Sequence, residues 1–369
     1  MPRTDDTANF ICRLCRMLIL LAASLSTGGC YLMQAAGGQL EITSKRQPIA
    51  KLLSDERTPE TLRNRLEYVS AARTFASAEL GLPDNDSYRT YADVGRPYVV
   101  WNVFATDEFS VQPKRWCFPI AGCVVYRGYF DEDNAQSYAR RLRLRGDDTA
   151  VGGVAAYSTL GHFKDPVLNT MLGWSDVQLA STLFHELAHQ VVYVPGDSEF
   201  NEAFATVVEE AGLQRWLASR GRLTDLDAWN EQRERNAQFV ALLLQTRERL
   251  EALYQSDLPD DQKRDRKQYE FGVLKLEYAQ LKAKQWNGYR GYDAWFSRTL
   301  NNANLVSAST YYGCVPGLRR VLQSVDGNLP LFYDKARELA KETREARAAA
   351  VCSDEPPPVT AAGSSTTAN

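Results

Sequence analysis

Three side chains in the segment TLFHELAHQ carry the strongest chemical signal in the chain: His185, Glu186 and His189. Residues four apart on a helix lie one turn apart on the same face, so two imidazoles at this spacing can share one cation. Neutral imidazole suits zinc, and a catalytic zinc takes three protein ligands and leaves a position for water. The ion lowers the pKa of that water from near 16 to roughly 7. Glu186 projects beside it and can take its proton, then pass it to a leaving amine. The chain has only 3 histidines, and two of them fall in this pattern. That economy disfavours the plainer reading of two packing histidines on an amphipathic helix.

A third ligand must come from another element. The next helical stretch offers Glu199, Glu202, Glu209 and Glu210. Glu202 lies in FNEAFA, just after a turn at VPGDS that lets the second helix fold back antiparallel. Glu209 lies about two turns further along the same face, and could instead support a ligand histidine from behind. Upstream, AVGGVAAYSTLG reads as an edge strand along which a substrate could lie, with Gly152 and Gly153 permitting close backbone approach. Tyr157 could donate a hydrogen bond to an oxyanion, with Tyr311 and Tyr312 as competitors. His162 reads as a structural residue. Arg127 reads equally as a substrate-carboxylate ligand or as half of an ion pair.

The rest of the sequence says where such a site would sit. A formal net charge of −3 with no dense basic patch gives no reason to expect a nucleic-acid partner. Arg13 and Arg16 precede the apolar run MLILLAASLS, Met17 to Ser26, which is short for a membrane span and suits a secretory signal. Thr27, Gly28 and Gly29 then lead into Cys30, a pattern that resembles a bacterial lipobox. This predicts a signal peptide over 1–29, lipidation of Cys30 and a polar tether over 30–47. The body would then be lipid-anchored on the periplasmic side of a bacterial envelope, the outer membrane being favoured. The alternative is an uncleaved N-terminal anchor. With Cys30 lipidated, four cysteines remain after the signal, an even number that suits disulfides in an oxidising compartment. Cys117 and Cys123 in CFPIAGC flank a turn and are expected to pair. Cys314 and Cys352 are left by elimination, either bonded to one another or free.

The elements that must position the site are mostly helical. Leu62, Leu66, Val69, Ala72, Phe75 and Ala76 recur at helical spacing over about 58–80. β-rich stretches follow at YVVWNVFA and WCFPIAGCVVYRGYF, then a polar helix near 134–144 and a strand at TAVGGVAAYST. Helices at about 175–193 and 199–219 carry the chemistry. A long helical hairpin is expected over 225–286, and shorter helices over 293–299, 315–322 and 331–350. The tail 353–369 reads as disordered. Together these predict an α+β, predominantly helical fold: one domain over 48–352, with a small mixed or antiparallel sheet packed on the active-site helix pair.

HELAHQ followed by FNEAFA resembles the gluzincin metallopeptidases, which pair HExxH with a glutamate in an NExxA-type motif. Beyond that pair, GQLEITSKRQPI, LGLPDNDSY, WCFPIAGCVVYRGYF, AYSTLGHFKDP and TYYGCVPGLRR resemble the bacterial family of predicted aminopeptidases, often lipoproteins. The resemblance implies one Zn2+ per chain held by His185, His189 and Glu202, with Glu186 as base. It also implies a peptide or protein substrate. Where some gluzincins have an aspartate that supports a ligand histidine, this chain has Thr206, and Asp197 or Glu209 is expected to substitute. No acidic residue occurs between Ala150 and Leu160 to hold a substrate's free amine. An envelope endopeptidase is therefore the nearest rival to an aminopeptidase, and a non-catalytic zinc-containing interaction module is the rival of a different class.

Overall fold

The computed structural model describes residues 31, 33–118, 122–156, 158–159, 163–306 and 313–352. The expected signal, Cys30, Tyr157, His162, Tyr311, Tyr312 and the tail 353–369 all lie outside the described residues. In chain order, α1 (33–44) leads to β1 (Gln47–Pro48), α2 (Ile49–Ser54), α3 (Glu60–Ala78), β2 (Thr90–Ala92) and β3 (Val100–Thr106). Next come β4 (Trp116–Phe118), β5 (Gly122–Val124), β6 (Arg127–Tyr129), α4 (Glu132–Arg143), β7 (Asp148–Val154) and β8 (Val167–Leu168). The chain then becomes all helix: α5 (Asp176–Ala188), α6 (Ser198–Ser219), α7 (Thr224–Gln255) and α8 (Asp260–Lys284). It ends in α9 (Asp293–Phe296), α10 (Asn302–Val306), α11 (Val315–Gln323), α12 (Leu329–Lys341) and α13 (Arg344–Val351). The fold is α+β and predominantly helical, with sheets of only two or three strands.

The sheets are small because turns interrupt the β-rich sequence. β3 is the centre of an antiparallel sheet in the order β6-β3-β7, with Trp101 opposite Tyr129 on one side and Gly153 on the other. β4 and β5 form a separate hairpin, in which Cys117 faces Cys123 and is bonded to it. A third sheet, β1-β2-β8, is mixed: β2 runs antiparallel to β1 and parallel to β8. The aromatic stretch after Trp116 therefore forms three short strands rather than one long one.

The main core lies between α3, α5, α6 and the C-terminal helices. Leu66, Leu80, Phe184, Phe200, Phe204 and Phe332 are all fully buried. A second core fills the α7–α8 hairpin, where Phe239, Leu243, Leu250, Phe271, Leu274 and Tyr278 interlock at helical spacing. The expected single helix over 331–350 is two, because Thr343 caps a fresh start by accepting the amide of Ala346 at 3.2 Å.

The segment read as a polar tether is helical over 33–44. Ile42 is its one large buried apolar residue, so the sequence carried little hydrophobic periodicity. Its other contacts are polar or small. Gln34 donates to the Gly128 carbonyl at 3.2 Å and accepts from the Phe130 amide at 3.2 Å. Gly38 lies flat against the Phe130 ring, where a Cβ would overlap it.

The far end of the chain is also tied down. Cys314 and Cys352 are bonded across a sequence separation of 38, against 6 for Cys117 and Cys123. Arg347 in α13 is buried and meets Asp197 at the start of α6 with two contacts, 2.6 and 2.8 Å. Loop-closure entropy predicts that replacing both Cys314 and Cys352 by serine costs about 4 kcal/mol, against about 2 for the shorter bridge. Urea denaturation of the two double variants should show that order.

Candidate metal centre

Two helices bring the site together, and each is fixed at its start. Helix α5 starts at Ser175, whose hydroxyl accepts the Gln178 amide at 3.2 Å. Asp176 in its first turn is gripped by Arg65 at 2.5 Å and Arg222 at 2.9 Å. The helix ends earlier than the sequence pattern suggests. His189 is its C-cap, with its amide still bonded to the His185 carbonyl at 3.3 Å. The chain then turns through Gly196, which has φ +82° and is therefore suited to glycine.

Asn201 holds that turn closed. Its buried amide accepts from the Val194 N–H at 2.8 Å and donates to the Val194 carbonyl at 2.8 Å. The next residue is Glu202, so the lock sets both the turn and the approach of the carboxylate. Sequence reasoning missed this role, although Asn201 sits in the same short motif. Phe184, Phe200 and Phe204 fill the space between the helices.

The result is a close constellation. The Nε2 atoms of His185 and His189 lie 3.2 Å apart. Glu202 places Oε2 at 3.2 Å from the first and Oε1 at 3.7 Å from the second. Donor atoms on a tetrahedron with arms of ~2.05 Å stand ~3.3 Å apart, so these spacings fit a zinc ion. Two imidazole nitrogens and one carboxylate oxygen are also the donor set that zinc accepts with a position left for water. The residues present fit the ion.

Glu209 decides the support of His185. Its Oε2 lies 3.0 Å from His185 Nδ1, which holds the proton there and turns Nε2 toward the shared point. Asp197, the other expected support, does not reach a histidine. It caps α6 by accepting the Phe200 amide at 3.2 Å and spends its second oxygen on Arg347. Glu210 bonds Arg319 at 2.7 and 2.8 Å and also Arg233, and Glu199 lies beside the Cys314–Cys352 bridge. Neither acid is part of the constellation.

The local electrostatics follow from burial and neighbouring carboxylates. Burial, and then the charge of His185, depress His189 to about 4, so it is neutral at pH 7. Burial alone would depress His185 too, but hydrogen bonds to Glu202 and Glu209 outweigh it and raise its pKa well above the ordinary value. The same carboxylates that favour a proton on that ring favour a dication beside it. Burial raises Glu186, and the charge of Glu202 adds to the shift. The Ser158 hydroxyl is in hydrogen-bonding contact with Glu186 and with the buried Asp165.

Two tyrosines that the sequence reading passed over stand near the centre. Burial, and then the charge of Glu202, raise the phenols of both Tyr126 and Tyr193. With 18 tyrosines in the chain, composition gave no way to choose them. Among the described residues Arg127 forms no ion pair. Its guanidinium lies over the Tyr31 and Tyr138 rings, at 4.1 and 4.6 Å.

Removing the support for His185 should weaken metal binding without abolishing it. Glu209→Gln is expected to lower zinc affinity by about 10- to 100-fold, and Glu202→Ala by more. Competition against a chromophoric chelator measures both. Equal affinities for Glu209→Gln and wild type would remove Glu209 from the site.

No curated protein and no solved structure matches the chain. A family model described as putative aminopeptidase matches residues 30–351. With almost the whole body covered, and with paired histidines and a glutamate gathered at one point, the chain belongs to the putative aminopeptidase family.

Proposed function

We propose that the protein is a zinc-dependent peptidase that removes N-terminal residues from peptides. The observation that supports this best is the convergence of His185, His189 and Glu202 at donor spacings suited to zinc, with Glu186 between the two histidines in sequence. When bound, zinc supplies Lewis-acid activation of water and of the scissile carbonyl. His185, His189 and Glu202 would hold the ion, and Glu209 orients the His185 ring. Glu186 takes the proton of the attacking water and gives it to the leaving nitrogen. Its pKa, raised first by burial, moves toward neutrality, which suits a group that must both accept and release a proton.

The substrate would lie along β7, an edge strand paired only with β3 among the described strands. An extended peptide can add to such an edge through backbone hydrogen bonds. The chain leaving β7 leads to Ser158, which contacts Glu186, so the edge runs toward the base. The phenols of Tyr126 and Tyr193, protonated at neutral pH, are donors near the centre. An endopeptidase is the second reading, favoured by the lack of an acidic residue between Ala150 and Leu160.

The proposed location is the periplasmic side of a bacterial envelope, with Cys30 lipidated. The charged flank, apolar run and small residues before Cys30 support it. Two disulfides suit an oxidising compartment. No helix among the described residues is long and apolar enough to cross a membrane.

Glu186→Gln should keep its zinc and lose about 10²- to 10⁴-fold in turnover on unblocked peptides. Wild type and variant both loaded with zinc and both inert across a broad peptide library would sink the peptidase reading in favour of an interaction module. Cleavage lost on N-acetylation supports the aminopeptidase, and cleavage kept supports the endopeptidase.

A further inference from the structure

Tyr31, the first described residue, is fastened to the body of the protein. Its ring stacks on Phe118 at 5.1 Å and meets Tyr129 edge-on at 5.7 Å. The Arg127 guanidinium bridges the Tyr31 ring and the Tyr138 ring of α4. The last turn of α4 and the residues after it carry Arg140, Arg141, Arg143 and Arg145. Arg141 lies 5.5 Å over the Tyr138 ring, so Tyr31 and the cationic run share one neighbourhood. Arg140 bonds the Ser137 hydroxyl and Arg143 the Thr149 hydroxyl. None of the four arginines has a carboxylate partner among the described residues. Between them, Leu144 is 88% exposed, the most exposed large apolar side chain among the described residues. Cations at a helix C-terminus complement its dipole, but that does not account for the leucine.

We propose that this face, Arg140 to Arg145 around Leu144, rests on an anionic phospholipid surface. The inference relies on attachment of the chain to the membrane at or before Cys30, and goes further by fixing which side meets the bilayer. Consecutive Cα atoms are about 3.8 Å apart. A membrane attachment at Cys30 therefore leaves Tyr31 at the headgroups, with no linker that would let the body turn away. Leu144 stands only about 9 Å along the helix axis from Tyr138. Arginine pairs with lipid phosphate through parallel hydrogen bonds, and a basic patch reinforces a lipid anchor. The β4–β5 hairpin gains a role: closed by Cys117–Cys123, it supplies Phe118 as the seat for Tyr31.

The test uses the full-length protein with a fluorescent non-canonical amino acid in place of Leu144 or, as a control, the exposed Leu276 of α8. Vesicles contain phosphatidylethanolamine and brominated phosphatidylcholine as quencher, with or without phosphatidylglycerol, and flotation reports attachment. Quenching at 144 should exceed that at 276 by about threefold and require phosphatidylglycerol. It should fall to the control level with Arg140→Glu and Arg141→Glu together, in a variant that keeps its circular dichroism spectrum. Floating protein quenched equally at both positions, or quenched at 144 regardless of phosphatidylglycerol, would overturn the proposal and leave the anchor standing. Protein that does not float with either vesicle overturns both.

Discussion

The crossing of α5 and α6 is the constraint on which the rest of the molecule turns. Neither helix holds a complete set of donors, so the site exists only while the two cross at one register. That register depends on a short turn, closed by the two hydrogen bonds between Asn201 and Val194. It depends equally on phenylalanines packed between the helices, which leave little room for sliding. Polar groups determine the angle of approach, and apolar burial keeps it from relaxing.

Much of the remaining structure keeps these helices in place. Arg65 and Arg222 grip the start of α5 through Asp176, while Arg347 grips the start of α6 through Asp197. The Arg347–Asp197 pair is buried and hydrogen-bonded on several sides, since Arg347 also donates to the Glu342 carbonyl at 2.9 Å. Such a pair adds little net stability but tolerates few alternative arrangements. The Cys314–Cys352 bridge closes α11 onto the end of α13, so the C-terminal segment works as a clasp on the start of α6. The hairpin of α7 and α8 stands on its own aromatic core. It is tied to β7 by the buried Lys267, which meets Asp148 at 2.6 Å.

Charge inside the site is arranged with the same economy. A carboxylate behind His185 and another in front of it make one ring electron-rich, while burial keeps its neighbour His189 neutral. The proposed base lies in the same low-dielectric surroundings, where burial is the first cause of its raised proton affinity. Two helices and a turn thus gather the proposed ligands, their support and the proposed base from a single stretch of sequence.

The sequence by itself determined whatever depends on local spacing. His185 and His189 had to share a helical face, Cys117 and Cys123 had to lie near one another, and the long hairpin was written in its apolar stripe. The α+β, mostly helical class followed from the same periodicities. Contacts between distant segments were decided only by the tertiary structure. Glu209 rather than Asp197 supports His185, because the depth of Glu209 along α6 depends on how the two helices cross. Asp197 could be assigned only once Arg347, far away in the chain, was seen beside it. The helix over 33–44 was hidden because it is held by glycine, glutamine and a single isoleucine, none of which makes a hydrophobic pattern. Periodicity records which face of an element is apolar; it carries no information on what that face will meet.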